Sequence, residues 1–389
     1  RGVKLNVMAL VDSAGFDAEA LAKGVALSDY ELRPGDLTEL KQLFEHATTF
    51  GSLIQVPEGL ASSLPALKQL SETTSQDLFV SEALKRLGPL VQQAELLAAQ
   101  YDAVVANPPY IGSKYHTPVL KKFLKEHYAG YEKDVFSAFI DRDLAFSKPH
   151  GRLGFMSPFV WMFISSHEHL RTRLIDKEAI TSLVQLEYSG FEGATVPICT
   201  LTLQKGHVSG QQGCYIRLSD FRGADNQGPK TLEAIQHRDC GWFFEAVQGN
   251  FKKIPGSPVA YWVSPRLREI FVESEPVGKL LDVRQGMATT DNNRFLRLWH
   301  EIKIGSIGFG CESAVEGNQV GKNWFPYNKG GDFRKWYGNN YHVVHYENDG
   351  EILIDLVTRK YPRISDPEFV IKNRKYYFKP CITWSFVSS

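Results

Sequence analysis

The chain has 389 residues, of which 43% are hydrophobic and 23% charged, a composition that excludes disordered and fibrous proteins and allows two or three domains. Its 44 basic and 44 acidic residues balance, which excludes a globally basic nucleic-acid binder. Residues 1–100 hold 8 basic and 13 acidic side chains, a net of −5, whereas residues 280–389 hold 15 and 12, a net of +3. A polyanionic partner is therefore expected to favour the later part of the chain.

The five cysteines are scattered, without C-x-x-C spacing. We expect no disulfide framework, no metal site and a cytoplasmic location. The longest apolar stretch, near residues 159–164, is far shorter than the ~20 residues of a membrane helix, so no membrane partner is expected. Because the chain begins with Arg1, we expect it to be a piece of a longer protein.

The first 100 residues predict a helical segment, since apolar side chains recur with helical spacing and Gly88-Pro89 predicts an interruption. Tyr101–Ala106 is a short β-branched run that predicts a buried, central strand. From there to Lys205, predicted strands alternate with predicted helices, which indicates an α/β fold with a mostly parallel sheet. Asp134 is well placed to cap one of these helices.

Beyond residue 205 the pattern becomes irregular and rich in glycine, proline and aromatic residues. The expected organisation is a helical segment over residues 1–100, a catalytic domain over 101–205, a connector over 206–280 and a separate module of short strands and loops over 281–389.

The most informative motif is Asn107-Pro108-Pro109-Tyr110, directly after the predicted strand. Each proline restricts its own backbone and that of the preceding residue, which predicts a rigid, extended corner. Ligands of open α/β sheets bind at the carboxyl ends of strands, where this corner is expected. The alternative is a proline-rich turn that closes the strand, with Tyr110 covering the surface.

Such a corner suits methyl transfer to a planar amine. The Asn107 side-chain oxygen and the Pro108 carbonyl are two acceptors that can hold both hydrogens of an –NH2 group. Tyr110 offers a ring on which a flat heterocycle can stack. Positioning and electrostatics then supply most of the catalysis, and no acidic general base is required.

These residues resemble motif IV of the adenine-N6 DNA methyltransferases. The order of elements downstream is also similar. Across residues 37–205 and 281–384 the amino-acid sequence resembles that of the large methyltransferases of BREX phage-defence systems, the PglX type. The resemblance implies a partial Rossmann-like methyltransferase sheet and a mixed α/β target-recognition module over residues 281–389. It also implies S-adenosyl-L-methionine as cofactor, with double-stranded DNA and other defence-system proteins as partners.

By the same resemblance, a flipped adenine would be held by Asn107, Pro108 and Tyr110, with Phe191 stacking alongside. Asn107 would also contact the cofactor. The family's Gly-rich cofactor loop, F-x-G-x-G, is not found before Asn107, and Gly308–Gly310 is expected to be a turn. We therefore expect the main cofactor loop to lie upstream of Arg1 and the fragment alone to be inactive.

In the last module, Lys329, Arg334 and Lys335 are interleaved with tryptophan and tyrosine, a pattern that suits contact with DNA phosphates and base edges. The alternative is an ordinary surface loop. The polar segment 286–294 is a second candidate for contact. Two other functions stay open: the same fold acting on an RNA adenine or a protein glutamine, and a DNA-binding scaffold of a defence complex.

Overall fold

The chain divides into two units, residues 1–274 and 275–389, each with its own hydrophobic core. The computed structural model describes residues 6–190, 196–332, 334, 336–363 and 366–384. No helix within these stretches is long and apolar enough to cross a lipid bilayer.

From residue 6 onward, five α-helices precede the first strand: α1 (Ala18–Gly24), α2 (Pro34–Leu43), α3 (Ala47–Phe50), α4 (Glu58–Ser71) and α5 (Leu78–Ala98). The predicted helical segment is confirmed, but the interruption at Gly88-Pro89 is wrong, because α5 continues through Pro89. A proline removes one hydrogen bond from a helix. Here the apolar residues on both sides of Pro89 are buried in one core, and their burial keeps the helix continuous.

The first unit contains one six-stranded sheet in the order β1-β2-β4-β3-β5-β6. Its strands are β1 (Tyr101–Ala106), β2 (Ser147–Pro158), β3 (Ala179–Gln185), β4 (Ile198–Gln204), β5 (Gln212–Arg217) and β6 (Phe243–Val247). The associated helices are α6 (Pro118–His127), α7 (Val135–Phe146), α8 (Glu168–Lys177), α9 (Ala224–Gln236) and α10 (Pro265–Glu273). Strands β1, β2, β3 and β5 share one direction, and β4 and β6 oppose it. The predicted α/β class is confirmed, but the expectation of a mostly parallel sheet is wrong, because three of the five pairings between these strands are antiparallel. The direction of pairing depends on contacts between distant segments, whereas the alternation of strands and helices is a local pattern.

Strand β1 lies at the edge of this sheet, so the prediction that it is central and buried is wrong for the part of the chain described. It pairs with β2 alone, and Val105 is 86% exposed. A β-branched run is typical of strands in either position, because its preference reflects packing rather than the number of neighbours. The outer edge of β1 thus presents unpaired backbone groups.

The segment 206–280 differs from the predicted connector. It supplies β5, which pairs with β3, and β6, which pairs with β5. β5 and β6 are only six and five residues long and are separated by α9 and irregular loops, so no long strand-like pattern marks them in the sequence.

Helix α7 packs against the sheet and joins it to the preceding helical segment. The buried guanidinium of Arg142 donates hydrogen bonds to the carbonyls of Ser52, Ile54 and Leu97 at 2.7–2.9 Å. Backbone carbonyls rather than a carboxylate satisfy this cation, so Arg142 ties two chain segments, residues 52–54 and the end of α5, to α7.

The second unit is built around a small antiparallel sheet in the order β7-β9-β8. These strands are β7 (Leu296–Leu298), β8 (Trp324–Tyr327) and β9 (His342–His345), accompanied by α11 (Val277–Leu280), α12 (Asn292–Phe295), α13 (Ala314–Gln319) and α14 (Glu351–Lys360). Phe295, Phe325, Val344 and Leu353 form part of its core. The short strands and loops expected in this part of the chain are present.

Candidate active site

The Asn-Pro-Pro-Tyr tetrapeptide begins where β1 ends, at the carboxyl edge of the sheet. Asn107 and Pro109 are exposed, Pro108 is buried and Tyr110 is half-buried. The tetrapeptide is not helical, and Pro108 is its one buried residue. Pro108 anchors the corner in the fold, and Asn107 remains accessible to a ligand.

The Asn107 side chain is oriented by a local hydrogen bond. The Tyr110 hydroxyl donates to Asn107 Oδ1 across 3.0 Å. A carboxamide oxygen has two lone pairs, so this oxygen can still accept a hydrogen bond from an amine. The Tyr110 ring packs against the main core, and burial, followed by the nearby Cys199 thiol, raises the pKa of Tyr110. Tyr110 is therefore a neutral phenol that holds the Asn107 acceptor in place.

The chain that follows the corner is fixed to the start of α7. Asp134 Oδ1 accepts hydrogen bonds from the backbone N–H groups of Ile111, at 3.1 Å, and Phe136, at 3.4 Å. The Val135 N–H in turn donates to the Ile111 carbonyl at 3.1 Å. Burial raises the pKa of Asp134, while the N–H groups of Phe136 and Ile111 favour its ionised form.

Asp134 therefore has two functions. Its predicted role as N-cap of α7 is confirmed. Its second contact, to the Ile111 N–H, was not predicted, because no local spacing rule brings together two residues that are 23 positions apart.

Aromatic side chains continue along the same edge of the sheet, because β1, β2 and β3 run parallel and their carboxyl ends lie together. Phe159 follows β2 and Tyr188 follows β3; their rings meet edge to face at 5.6 Å. Tyr188 is 55% exposed, and sequence reasoning missed it. The signal available was an aromatic residue shortly after a predicted strand. Phe191, the predicted stacking residue, lies outside the described residues.

The predicted DNA-contact residues belong to the second unit. Lys329 follows β8 and is half-buried, close enough to influence the pKa of His342. Arg334 is exposed and hydrogen-bonded to the Tyr341 hydroxyl. Lys335 lies outside the described residues.

Gly308–Gly310 is a turn, as predicted. Gly310 has a φ of +75°, a left-handed conformation that favours glycine. A Cβ at Gly308 would meet the Phe325 ring at 2.7 Å, so this glycine is required for packing in the core of the second unit. Nothing in the described ranges forms a Gly-rich cofactor loop before Asn107.

Comparisons with known proteins bear on the family to which this chain is similar. The Eco57I restriction-modification methylase family matches residues 38–191, a range that contains the corner. The adenine-specific methyltransferase PglX of Lacticaseibacillus casei is 33% identical over 364 residues, which cover 91% of this chain and 30% of that protein. The predicted family resemblance is confirmed.

Two further similarities extend the comparison. The adenine-specific methyltransferase BrxX of Escherichia coli is 32% identical over 418 residues, covering 100% of this chain and 32% of that protein. The chain thus spans about a third of the length of these curated relatives. Among solved structures, a putative class I S-adenosylmethionine-dependent methyltransferase from Listeria monocytogenes is 17% identical, with a TM-score of 0.29, covering 58% of this chain and 81% of that one.

Proposed function

We propose that the protein containing this chain transfers a methyl group from S-adenosyl-L-methionine to the exocyclic N6 amine of a flipped adenine in DNA. The exposed, hydrogen-bonded Asn107 acceptor at the carboxyl end of β1 carries the proposal. Similarity to proteins named adenine-specific methyltransferases supports it. The resemblance of the sequence to the PglX-type methyltransferases of BREX phage-defence systems further supports a modification role in such a system, with other defence proteins as partners.

In this mechanism the corner acts by holding the amine. Asn107 Oδ1 and the Pro108 carbonyl accept its two hydrogens, which frees the nitrogen lone pair to point away from the ring plane. Pro109 has no backbone N–H that could form a competing local hydrogen bond. The base would stack on Tyr110, with Phe191 alongside, once it has left the duplex. The amine nitrogen would form the new N–C bond as the S–CH3 bond of the sulfonium breaks, with the electron pair of that bond staying on sulfur to leave a thioether, and the methylated nitrogen would then lose one proton to water.

S-adenosylmethionine, when bound, supplies the electrophilic methyl group. The residues described here fit the acceptor side of this reaction, and Asn107 is the one candidate contact to the cofactor. The Gly-rich cradle of the cofactor is not formed by the described residues, so no further contact is assigned.

Residues 281–389 are proposed to serve as the target-recognition domain. Lys329, Arg334 and Lys335 are proposed to contact duplex DNA there, at phosphates or at base edges, in a region whose net charge is +3. Residues 101–205 are proposed as the core of the catalytic domain. A small methyltransferase acting on RNA adenine or protein glutamine has less need of such a module, which favours the DNA substrate.

Because the chain spans a third of its relatives' length, the test uses the full-length protein with duplex DNA, RNA and protein as acceptors of a tritiated methyl group. Label in N6-methyladenine of duplex DNA is expected. Asn107→Ala should reduce the rate by at least ~100-fold, since a group that contacts the transition state is lost. Asn107→Asp keeps an oxygen acceptor and should retain more activity.

The matched control is Asn250→Ala, another asparagine of the first unit, which should leave the rate unchanged. Asn107 is exposed, so its substitution should change the free energy of unfolding by less than ~1 kcal/mol. Label found in RNA or protein instead of DNA would reject the DNA substrate. Absence of transfer to all three acceptors would leave the scaffold function as the better explanation.

A further inference from the structure

A polar cleft in the second unit brings together three segments that lie apart in the sequence. It has a volume of about 440 Å³ and is lined by residues of the 292–301 stretch together with Lys329 and His342. The segment 286–294 and the Lys329 loop were each candidates for DNA contact. Their convergence is decided by the pairing of β9 with both β7 and β8.

One wall of the cleft is held rigid by local hydrogen bonds. The Thr289 hydroxyl donates to Asn292 Oδ1 at 2.6 Å, and Asp291 caps α12 through the Arg294 N–H. Arg297 donates to the backbone carbonyls of Asn293 and Leu296 at 2.5 and 2.7 Å. Arg297 is thus occupied in supporting the wall, and the Asn293 side chain is left exposed on a defined backbone.

Other polar groups of the cleft have no partner in the described part of the chain. Neither the Asn293 amide nor the Lys329 ammonium forms a hydrogen bond or an ion pair there. The His342 Nδ1 atom is buried without a hydrogen-bond partner. Burial and then the Lys329 charge lower the pKa of His342, against the influence of Glu301, so its neutral ring can either donate or accept.

This mixture of groups suits base edges better than a phosphate. A phosphate site concentrates cations and backbone N–H donors, whereas this cleft also contains the Glu301 carboxylate, an amide and a neutral imidazole. Asparagine pairs with adenine and lysine with guanine in the major groove, because their donors and acceptors match those edges. The cleft therefore combines side chains that can discriminate between bases.

We propose that this cleft reads the edges of one or two adjacent base pairs of the target sequence, through Asn293, Lys329 and His342. The proposal rests on the proposed function, since it deepens the role of the recognition domain. It assigns base discrimination to residues that contribute little to non-specific affinity.

The test selects bound duplexes from a randomised library with the full-length protein and compares Asn293→Ala and Lys329→Ala with the unsubstituted protein. Each variant should lose ~5- to 150-fold discrimination at one or two neighbouring positions, the range typical of a base-edge contact. The matched control is Lys303→Ala, which removes the same charge from an exposed site outside the cleft and should leave the sequence preference unchanged.

Three outcomes separate the possibilities. Relaxed preference at defined positions supports base reading. If Lys329→Ala weakens binding to all sequences equally and reduces the slope of log affinity against log salt concentration by ~0.9, Lys329 is a phosphate contact and the proposal is overturned. An unchanged preference in both variants would also overturn it. Since the selection measures binding alone, a protein that binds selectively but transfers no methyl group would reject the proposed function and leave the cleft assignment standing.

Discussion

The corner after β1 consists of four consecutive residues, whereas the cleft of the second unit draws on three separate segments. In the corner, prolines restrict the backbone and Asp134 holds the following loop. In the cleft, Asn293 is exposed on the short helix α12, and Lys329 is half-buried in the loop after β8. This difference suits a division of roles between the two regions. Methyl transfer needs one fixed geometry, whereas recognition of a target sequence needs side chains that can be exchanged for others. Substitutions in the corner should then affect every substrate alike, and those in the cleft should act on individual target positions.

After Asn107→Ala itself, the largest effect on the rate of methyl transfer is expected at Asp134, which fixes the loop after the corner. Asp134→Ala removes the acceptor for both the Ile111 and Phe136 N–H groups, so the loop should move and methyl transfer should slow by about 10- to 100-fold. Loss of the helix cap should also cost about 1 kcal/mol of stability. Single-turnover methylation on saturating DNA and denaturant unfolding measure the two effects.

Asp77→Ala is the matched control, because Asp77 caps α5 through Phe79 and Val80 and does not contact the corner. It should lose similar stability without loss of rate. Asp134→Asn keeps the Oδ1 acceptor and should restore most of the rate. Equal rates for the Asp77 and Asp134 alanine variants would mean that Asp134 is only a helix cap.

A smaller effect is expected on the pH dependence of protein stability, through a buried carboxyl group on α7, the helix that Asp134 caps. Asp143 lies buried on α7, and its Oδ2 atom has no hydrogen-bond partner. Burial raises its pKa to about 7 from 3.8, although the neighbouring Arg142 opposes the shift. Between these values the folded protein holds a proton that the unfolded chain releases, so stability falls as pH rises from about 4 to 7.

Asp143→Asn removes this dependence. Relative to the unsubstituted protein it should become progressively more stable from pH 4 to pH 7, by up to ~1.4 kcal/mol per pH unit, as measured by unfolding at each pH. His167, whose pKa burial lowers to about 4 from 6.5, acts in the opposite direction and is common to both proteins, so the difference isolates Asp143. A difference that does not vary with pH would contradict the shift.

The smallest effect is expected outside both sites, at a candidate phosphate contact. Arg334→Ala should weaken binding to all duplexes by a similar factor and reduce the slope of log affinity against log salt by ~0.9. The rate on saturating DNA should not change, in contrast to the Asp134 variant. An altered sequence preference would instead mean that Arg334 contacts base edges, so that base recognition is not confined to the cleft.

Local chemistry could be predicted from the sequence. The prolines of the corner, the acceptor at Asn107 and the capping role of Asp134 all depend on residues close together in the chain, and the motif order was sufficient for the family resemblance. The alternating strands and helices likewise predicted the α/β class, because periodicity is a property of short segments.

The tertiary structure decided which segments meet. It placed β1 at an edge, brought residues 206–280 into the sheet, joined Ile111 to Asp134 and assembled the cleft from Asn293, Lys329 and His342. Strand pairing and cavity formation depend on packing between residues far apart in the chain, for which local composition carries no signal. The sequence by itself therefore determined the chemistry of the corner, and long-range packing alone determined its support and the site proposed for reading DNA.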